Sequence, residues 1–515
     1  MKGYILSSPS IQTVIIYLNH KETQNTSFTG KKSNGTKHHN FKQTYFHQAM
    51  KATLFIIILM FNSVLHLFAQ EKDIPETYLS KHFKVQYTIA THDSTAQVFH
   101  TQSNQPDTRG FDVSWTNIPV SQGQETLVRI KGTETIKEAV IRPRQQHIDY
   151  NLSKGVLELK LKEPIKMSVE INGDSLHPLY LFAYENKQKL PKQNEIVRFA
   201  PGYHAIGEHF PIKSNTTYVL ERGAYLKGSF YAKGTVENVT FTGQGVIDAG
   251  EQTWQHPLDG LRSNIQFEDG RNIRIEGITL INAGNFQFKL QTKANGTGIK
   301  FKGVNMIGWN RNTDGIHISD MNWKDHPIVG NGKNTKLTVE DCFIRANDDA
   351  ILLCDGVAEC TVRNCYFVDD GDGATFCLSW GAHQPVKKVR VSQCYILSKQ
   401  KDNPVFRANH AGEAHINNVI FKDIYIEGNA NCLVGLYITP HRYDPDPAYG
   451  SISNIRFENI YLQGKCKANF IHGLNKQHRI SDVRFKNLYI NGKHIISAEE
   501  GLFSINEFTE NISFE

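Results

Sequence analysis

The 515-residue sequence predicts an all-β protein, a right-handed parallel β-helix preceded by a small β-sandwich. Short strand patterns recur along the larger, C-terminal part of the chain, and the recurring units differ in length. The part before them carries alternating strands in a different arrangement. Unequal repeats of roughly 20 to 40 residues that contain only short strands are typical of a solenoid with loops of variable length.

The sequence pattern of the N-terminal part predicts a targeting segment rather than a folded domain. Residues 50–69 contain one lysine, an apolar run over residues 54–61 and a small residue, Ala69, at the end. This is the pattern of a secretory signal peptide, and the run is too short for a membrane span. We expect residues 1–49 to be an over-extended or disordered N-terminus and residues 70–79 to be a linker. The mature protein is then secreted or periplasmic and has no membrane span.

The net charge of the chain is concentrated in that N-terminal part. The whole chain has a formal net charge of +6, but residues 1–69 hold seven lysines and a single acid, Glu22. Without them, 50 basic and 50 acidic residues remain. A neutral chain argues against nucleic acid or a highly charged polyanion as the main partner.

Residues 80–188 predict the β-sandwich. Gly, Asn and Asp, which favour turns, separate segments with alternating apolar and polar residues. The strand-like segments are FKVQYTIA, TLVRIKG, KEAVIRP, GVLELKLK and KMSVEING.

Residues 189–515 predict the β-helix. Eight strand pairs share one pattern, in which alternating apolar residues are followed by a two-residue polar turn and a second apolar pair. One anchor position from each pair aligns across the repeats, and successive anchors lie 23 to 38 residues apart. Each coil can then stack its strands on the preceding coil and bury one continuous core. The anchors are Ile275, Phe301, Val339, Val362, Val391, Phe421, Phe457 and Phe485.

Three of the eight cysteines fit the same repeat. Cys342, Cys365 and Cys394 lie three residues after their anchors, at a position that other coils fill with aliphatic residues. A buried thiol behaves as a small hydrophobic group, and no two cysteines have Cys-x-x-Cys spacing. We expect buried free thiols rather than disulfides or metal ligands, and the sequence predicts no cofactor or metal.

Acidic residues recur after the second strand of several coils. Aligning Asp314-Gly315, Asp349-Ala350 and Asp372-Gly373 predicts a column of carboxylates on neighbouring coils about 4.8 Å apart, with Asp348 beside it. A single aspartate in a solenoid usually caps a turn. Several stacked carboxylates repel one another and separate their pKa values, which costs stability. Glycosidase chemistry uses such an arrangement, because it needs one protonated and one ionised carboxyl group.

Two motifs carry a resemblance to a known group of enzymes. Asn312-Thr313-Asp314-Gly315-Ile316 and Asn347-Asp348-Asp349-Ala350 resemble the β-helical glycoside hydrolases that unite polygalacturonases with dextranases and isopullulanases, over residues 195–440. The resemblance implies that Asp348 is the general acid and that Asp314 and Asp349 hold and deprotonate the attacking water. It also implies inversion of the anomeric centre, for which the carboxyl groups lie roughly 6.5–9.5 Å apart.

The sequence departs from polygalacturonases in two segments. Residues 375–381 read TFCLSWG where those enzymes carry Gly-His-Gly, and Arg407-Ala408-Asn409 replaces their Arg-Ile-Lys. A uronate carboxylate without that lysine is poorly neutralised. The leading β-sandwich and residues 199–204 and 223–228 resemble the dextranase branch. We therefore expect a neutral α-linked polysaccharide or oligosaccharide as the substrate.

Several residues around the aspartates are candidate sugar contacts. Aromatic faces stack on pyranose rings, while charged and imidazole groups form hydrogen bonds with hydroxyls. Residues 437–449, with His441 and Arg442, are a further candidate for one end of the binding site. The predicted contacts are Arg407, Trp380, Asp372, His383, Lys289 and Trp309, with His317 and His410 as weaker candidates.

Three alternatives stay open. The first is a polygalacturonase-type pectin hydrolase. The second is a polysaccharide lyase, in which the acids bind calcium and Lys289 or Arg407 abstracts a proton. The third is a non-catalytic glycan-binding solenoid.

Overall fold

The computed structural model describes most of the chain after residue 72. The predicted N-terminal extension, residues 1–49, and the signal peptide, residues 50–69, lie outside the described residues, as does the segment with His441 and Arg442. Within the described ranges we find no helix with the length and hydropathy of a membrane span. The described residues are 73–102, 112–121, 123–185, 195–250, 262–291, 297–319, 335–354, 356–369, 371–399, 403–440 and 448–515.

The first folded part consists of short strands and two 3₁₀ helices, Glu76–Tyr78 and Arg144–Gln146. The strands are β1 Phe83–Ile89, β2 His92–Ala96, β3 Phe99–Gln102, β4 Asp112–Val120, β5 Thr126–Gly132, β6 Ala139–Arg142, β7 Tyr150–Ser153, β8 Val156–Leu161, β9 Lys166–Ile171 and β10 Asp174–Glu185.

These strands form two five-stranded sheets. The first has the order β2-β1-β5-β8-β7 and is antiparallel, and the second has the order β3-β4-β10-β9-β6 with β4 and β10 parallel. Alternate residues of both sheets enter one apolar cluster, which includes Val85 and Val128 of the first sheet and Val169 and Leu181 of the second. Period-2 alternation buries one face of each sheet and leaves the other face free for a second contact.

The rest of the described chain is one continuous sheet wound into coils, and its strands are parallel except for one antiparallel pair near the C-terminus. The strands are β11 Glu195–Phe199, β12 Gly202–Pro211, β13 Thr216–Leu220, β14 Ala224–Gly243, β15 Val246–Asp248, β16 Ile265–Glu276, β17 Thr279–Ile281, β18 Phe288–Leu290, β19 Gly298–Lys302, β20 Asn305–Ile307, β21 Ile316–Ile318, β22 Thr335–Glu340, β23 Phe343–Arg345, β24 Ile351–Leu353, β25 Val357–Arg363, β26 Tyr366–Asp369, β27 Phe376–Cys377, β28 Val386–Lys399, β29 Phe406–His410, β30 His415–Gly428, β31 Ala430–Ile438, β32 Ser451–Gln463, β33 Cys466–His472, β34 Ile480–Ile490, β35 Lys493–Ile495, β36 Phe503–Ile505 and β37 Thr509–Phe514.

The predicted anchors form one ladder through this solenoid. Ile275 pairs with Phe301, Phe301 with Val339, and each later anchor pairs with the next as far as Phe485. All of them are buried in a single apolar core. The prediction of an all-β chain built on a parallel β-helix is confirmed, because apolar alternation within each coil fixes which residues face the core.

The cysteines occupy the predicted interior positions. Cys342, Cys365 and Cys394 are fully buried, and Cys394 pairs with Ile424 of the next coil. All eight cysteines are free. The prediction of buried thiols is confirmed for seven of them, whereas Cys466 is partly exposed.

The second of the small sheets packs its outer face on the β-helix. Trp115, Tyr180 and Phe182 form one apolar cluster with coil residues such as Phe343, whose ring lies 4.8 Å from that of Tyr180. The ammonium group of Lys166 donates to Asn305 Oδ1 over 2.7 Å in the same contact. The two parts of residues 73–515 therefore share a packed boundary, and one predicted sugar contact lies in it.

Candidate active site

Asp314 and Asp349 lie at equivalent positions of successive coils. They precede β21 and β24, in which Ile316 pairs with Ile351, and the Gly315 N–H donates to the Asp349 carbonyl over 2.9 Å. Asp348 donates its own N–H to the Thr313 carbonyl over 3.0 Å. The carboxylates of Asp314, Asp348 and Asp349 approach one another within 4.8 Å. We call these three groups the carboxyl cluster.

Asp372 does not belong to the aspartate column, so that prediction is wrong. Ile351 pairs with Phe376, which places Ala374 rather than Asp372 opposite Asp349. Twelve residues separate Val339 from Ile351, but fourteen separate the next anchor, Val362, from Phe376. The turn in this coil is therefore two residues longer. Asp372 is exposed, and its charge acts on Asp348, so it stays a candidate sugar contact beside the cluster.

Asp349 is held by three donors. Its Oδ1 accepts the Ala374 N–H over 2.7 Å and a hydrogen bond from Arg407 Nη2, and its Oδ2 accepts the Trp380 indole N–H over 2.9 Å. Asp349 is 2% and Arg407 3% exposed, and the guanidinium carbon lies 4.2 Å from the Trp380 ring centroid. Burial lowers the pKa of Arg407, but Asp349, Cys377 and Asp348 together outweigh this effect, and the net shift is upward. Donors on both oxygens fix the orientation of the Asp349 side chain.

Asp314 is buried and held through both of its oxygens. Oδ1 accepts the Asp349 N–H over 3.1 Å, and Oδ2 lies 2.6 Å from Nδ1 of His317. Burial and the charges of Asp348 and Asp349 raise the pKa of Asp314 well above its usual range. Asp314 therefore has a strong tendency to keep a proton, against which the hydrogen bonds to its carboxylate act.

Asp348 is the partly exposed member of the carboxyl cluster. Burial and the charge of Asp349 raise its pKa to about 7. A carboxyl group with that pKa is protonated in mildly acidic solution and can donate its proton near neutrality. The arrangement thus separates a proton-bearing carboxyl group from the carboxylate of Asp349, which is paired with Arg407.

Two glycines allow the coils to approach at the carboxyl cluster. A Cβ on Gly315 would lie 2.5 Å from the Ala350 carbonyl oxygen. A Cβ on Gly373 would overlap the backbone of Asp348. The Asp-Gly pairs in the sequence therefore reflect close backbone contact, as well as the placement of carboxylates.

Two of the predicted sugar contacts are side chains that a sugar cannot reach in the structure. Trp309 is 4% exposed, belongs to the apolar cluster at the boundary with the small sheets, and has the Arg345 guanidinium 3.1 Å above its ring. Its face is therefore covered, and the prediction is wrong. His410 is fully buried between Ser379 Oγ at 3.0 Å and the Ala414 carbonyl at 2.8 Å, and burial lowers its pKa to about 4. His410 is a packing residue of its coil.

The remaining candidates lie on either side of the carboxyl cluster. Lys289 is 8% exposed and pairs in register with His317, and burial lowers its pKa to about 8. Trp380 is partly exposed, so one of its faces stays a candidate for sugar stacking. His383 is 19% exposed and lies 3.9 Å from Glu413. These three contacts stay predictions.

Phe286 is a site residue that the sequence did not predict. Its ring stacks on His317, with 3.8 Å between centroids and 9° between planes. Phe288 pairs with Ile316, so Phe286 occupies the position of Asp314 in the preceding coil. The turns of these two coils differ by two residues in length, so the sequence pattern alone did not align Phe286 with Asp314.

Among the residues that the structure describes, the acidic side chains of the carboxyl cluster also have a spacing that suits a cation. Divalent cations such as Ca²⁺ prefer carboxylate oxygens. The Arg407 guanidinium already supplies one positive charge to this cluster. A parallel β-helix that brings three carboxyl groups together, one of which can donate a proton near neutrality, has a site of the kind that glycoside hydrolases use.

The chain belongs to glycosyl hydrolase family 28, whose family model matches residues 199–500. It is therefore a glycoside hydrolase with a polysaccharide as its substrate. No functionally curated protein sequence matches the chain.

The chain is similar to several solved structures. Dex49A from Penicillium minioluteum is 15% identical, with a TM-score of 0.55, over 86% of this chain and 96% of that one. A family 28 exopolygalacturonase from Yersinia enterocolitica is 13% identical, with a TM-score of 0.41, over 75% of this chain and 96% of that one. An endo-xylogalacturonan hydrolase from Aspergillus tubingensis is 13% identical, with a TM-score of 0.41, over 62% and 87%. At these identities the likeness to Dex49A concerns the fold alone.

Proposed function

We propose that this family 28 enzyme cleaves a neutral α-linked polysaccharide and inverts the anomeric centre. Asp348 protonates the glycosidic oxygen, and Asp314 and Asp349 hold and deprotonate the attacking water. The signal-like stretch at residues 50–69 supports export, so that the enzyme meets its substrate outside the cytoplasm.

The substrate proposal rests on the contacts that the Arg407 guanidinium already makes. Its guanidinium is paired with Asp349 and covered by Trp380, so it is not free to form a bidentate contact with a sugar carboxylate. The following positions offer Ala408 and Asn409, neither of which is cationic. A uronate bound here would leave its charge poorly neutralised, whereas a neutral sugar has no such requirement.

The surroundings of Asp348 and Asp349 support their proposed roles. Asp348 combines a pKa of about 7 with partial exposure, which suits a group that must reach the leaving oxygen and carry a proton. Three of the roughly four lone-pair directions of Asp349 already accept hydrogen bonds. A carboxylate held in this way suits the orientation of water better than covalent attack on the sugar.

The spacing of the carboxyl cluster differs from the expectation for inversion. The closest oxygens lie within 4.8 Å of one another, whereas acid and base in inverting enzymes are roughly 6.5–9.5 Å apart. Two other observations support inversion. Hydrogen bonds hold the carboxyl groups of Asp349 and Asp314, and the surrounding motifs resemble those of inverting enzymes. The anomeric form of the first product therefore tests the proposal directly.

We expect faster release of reducing ends from a neutral α-glucan or α-galactan than from polygalacturonate. An unpaired buried polar group costs about 1–3 kcal/mol and a charged group more, so the preference should be at least about fivefold. The assay compares initial rates on dextran, pullulan, a marine galactan and polygalacturonate at equal mass. Asp348→Asn, prepared in the same way, controls for contaminating hydrolases. A higher rate on polygalacturonate would contradict the neutral-substrate proposal and favour a pectinase.

A further inference from the structure

His317 is fully buried next to the carboxyl cluster, and three contacts define its position. Its Nδ1 lies 2.6 Å from Asp314 Oδ2, its ring stacks on Phe286 at 3.8 Å, and its strand β21 pairs with Lys289 of β18. The Nε2 atom is buried and has no hydrogen-bond partner among the described residues. A ring that is fixed on one face and at one nitrogen has little freedom to rotate.

The protonation state of His317 follows from its surroundings. Burial and the positive charge of Lys289 lower its pKa well below the usual range, so the imidazole is neutral and carries one hydrogen. A hydrogen on Nε2 would be a buried donor without an acceptor, which is rare in proteins. A hydrogen on Nδ1 instead points at Asp314, whose Oδ1 already accepts the Asp349 N–H. The second tautomer satisfies more polar groups.

We propose that His317 is a positioning residue, which donates its Nδ1–H to Asp314 and holds that carboxylate, ionised and oriented, for the attacking water. The inference rests on the proposed role of Asp314. The Phe286 stack fixes the plane of the imidazole, and the imidazole fixes the carboxylate in turn. The hydrogen bond opposes the effect of burial and of the neighbouring carboxylates, which favour the protonated form of Asp314. Arg407 and Trp380 act on Asp349 in the corresponding way.

The charged groups that face this contact set its response to pH. Removal of the N–H donor destabilises ionised Asp314 and raises its pKa, so the acidic limb of kcat/KM moves to higher pH. The groups that face His317 and Asp314 are Lys289 on β18, Asp348 and Asp349 before β24, and Arg407 on β29.

His317→Phe and His317→Asn test the proposal as a matched pair. Phenylalanine keeps the stack on Phe286 but has no donor, whereas the asparagine amide places a donor near the position of Nδ1. We expect His317→Phe to lower kcat by about 100-fold, as for a misplaced catalytic group, with KM within about twofold. Its acidic limb should move to higher pH. His317→Asn should restore most of kcat and the original limb.

His410→Phe controls for the loss of a buried histidine, because the hydrogen bonds of His410 go to Ser379 and Ala414 rather than to the carboxyl cluster, and it should not move the acidic limb. If His317→Phe does not fold, the comparison is between His317→Asn and His317→Gln, whose longer amide reaches the position of Nε2. We then expect activity in His317→Asn and a large loss of activity in His317→Gln.

The inference would be overturned if the two variants of either pair had equal kcat and an unchanged acidic limb of the pH profile. Full activity of Asp314→Asn would overturn the proposed function itself, whereas an inactive Asp314→Asn with an active His317→Phe would overturn this inference alone.

Discussion

Asp348→Asn is expected to lose about 10²–10⁴-fold in kcat on a natural polysaccharide, the range of general acid assistance. Asparagine cannot protonate the leaving oxygen, so an alkoxide must depart. On a substrate with a good aryl leaving group the loss should be much smaller, because such a group needs little protonation. Asp314→Asn and Asp349→Asn should be poor on both substrates, since water must be activated in either case. Steady-state kinetics on matched natural and aryl glycosides gives the comparison.

The pH profile provides a second observation on the same residue. The pKa of Asp348 is raised to about 7, so its proton is present below that pH and lost above it. The wild-type kcat/KM on a natural glycan should therefore fall as pH rises through about 7, and this alkaline limb should disappear in Asp348→Asn. Equal losses of Asp348→Asn on both leaving groups would remove the residue from the acid role, and Asp349 would be the next candidate.

Arg407→Met is expected to cost both stability and turnover. The Arg407–Asp349 pair is almost fully buried, and removal of one partner from a buried ion pair typically costs about 3–5 kcal/mol. The side chain of Asp349 would also lose the donor that helps to orient it for the attacking water, which lowers turnover. Urea denaturation measures the free energy of unfolding, and initial rates on the preferred glycan measure the turnover.

The double variant Arg407→Met/Asp349→Asn separates the two effects. It leaves no unpaired charge, so most of the lost free energy of unfolding should return, because replacement of a whole buried pair is often close to neutral. Turnover should not return, since Asp349 is absent. A single Arg407→Met variant with wild-type stability and turnover would show that the guanidinium has no positioning role.

Local alternation made the β-helix predictable. The anchors from Ile275 to Phe485 pair in the predicted register, because each coil must bury its apolar face whatever the length of its loops. The aspartates were harder to place, since their register depends on turn length. Asp314 and Asp349 were aligned correctly, whereas the turn before Phe376 is two residues longer and moves Asp372 out of the column.

Contacts between distant segments could not be read from the sequence. Trp309 is a residue type that often stacks on sugars, but its ring is covered at the boundary with the small sheets. That boundary is a contact between separate parts of the chain. Arg407 and Trp380 were predicted as sugar contacts, and both also donate to Asp349, Trp380 from the next coil and Arg407 from the coil after that. His317 lies only three residues after Asp314, yet its role depends on the Phe286 stack from another coil.

The anomeric form of the first product tests the central claim most directly. Proton NMR during the first minutes of hydrolysis of an α-linked oligosaccharide, before mutarotation equilibrates the sugar, distinguishes the two anomers. An attack by water held on Asp314 and Asp349 predicts that the β-anomer appears first. A product that begins as the α-anomer would mean that one of these aspartates forms a covalent glycosyl intermediate, in line with their close spacing, and would contradict the proposed roles.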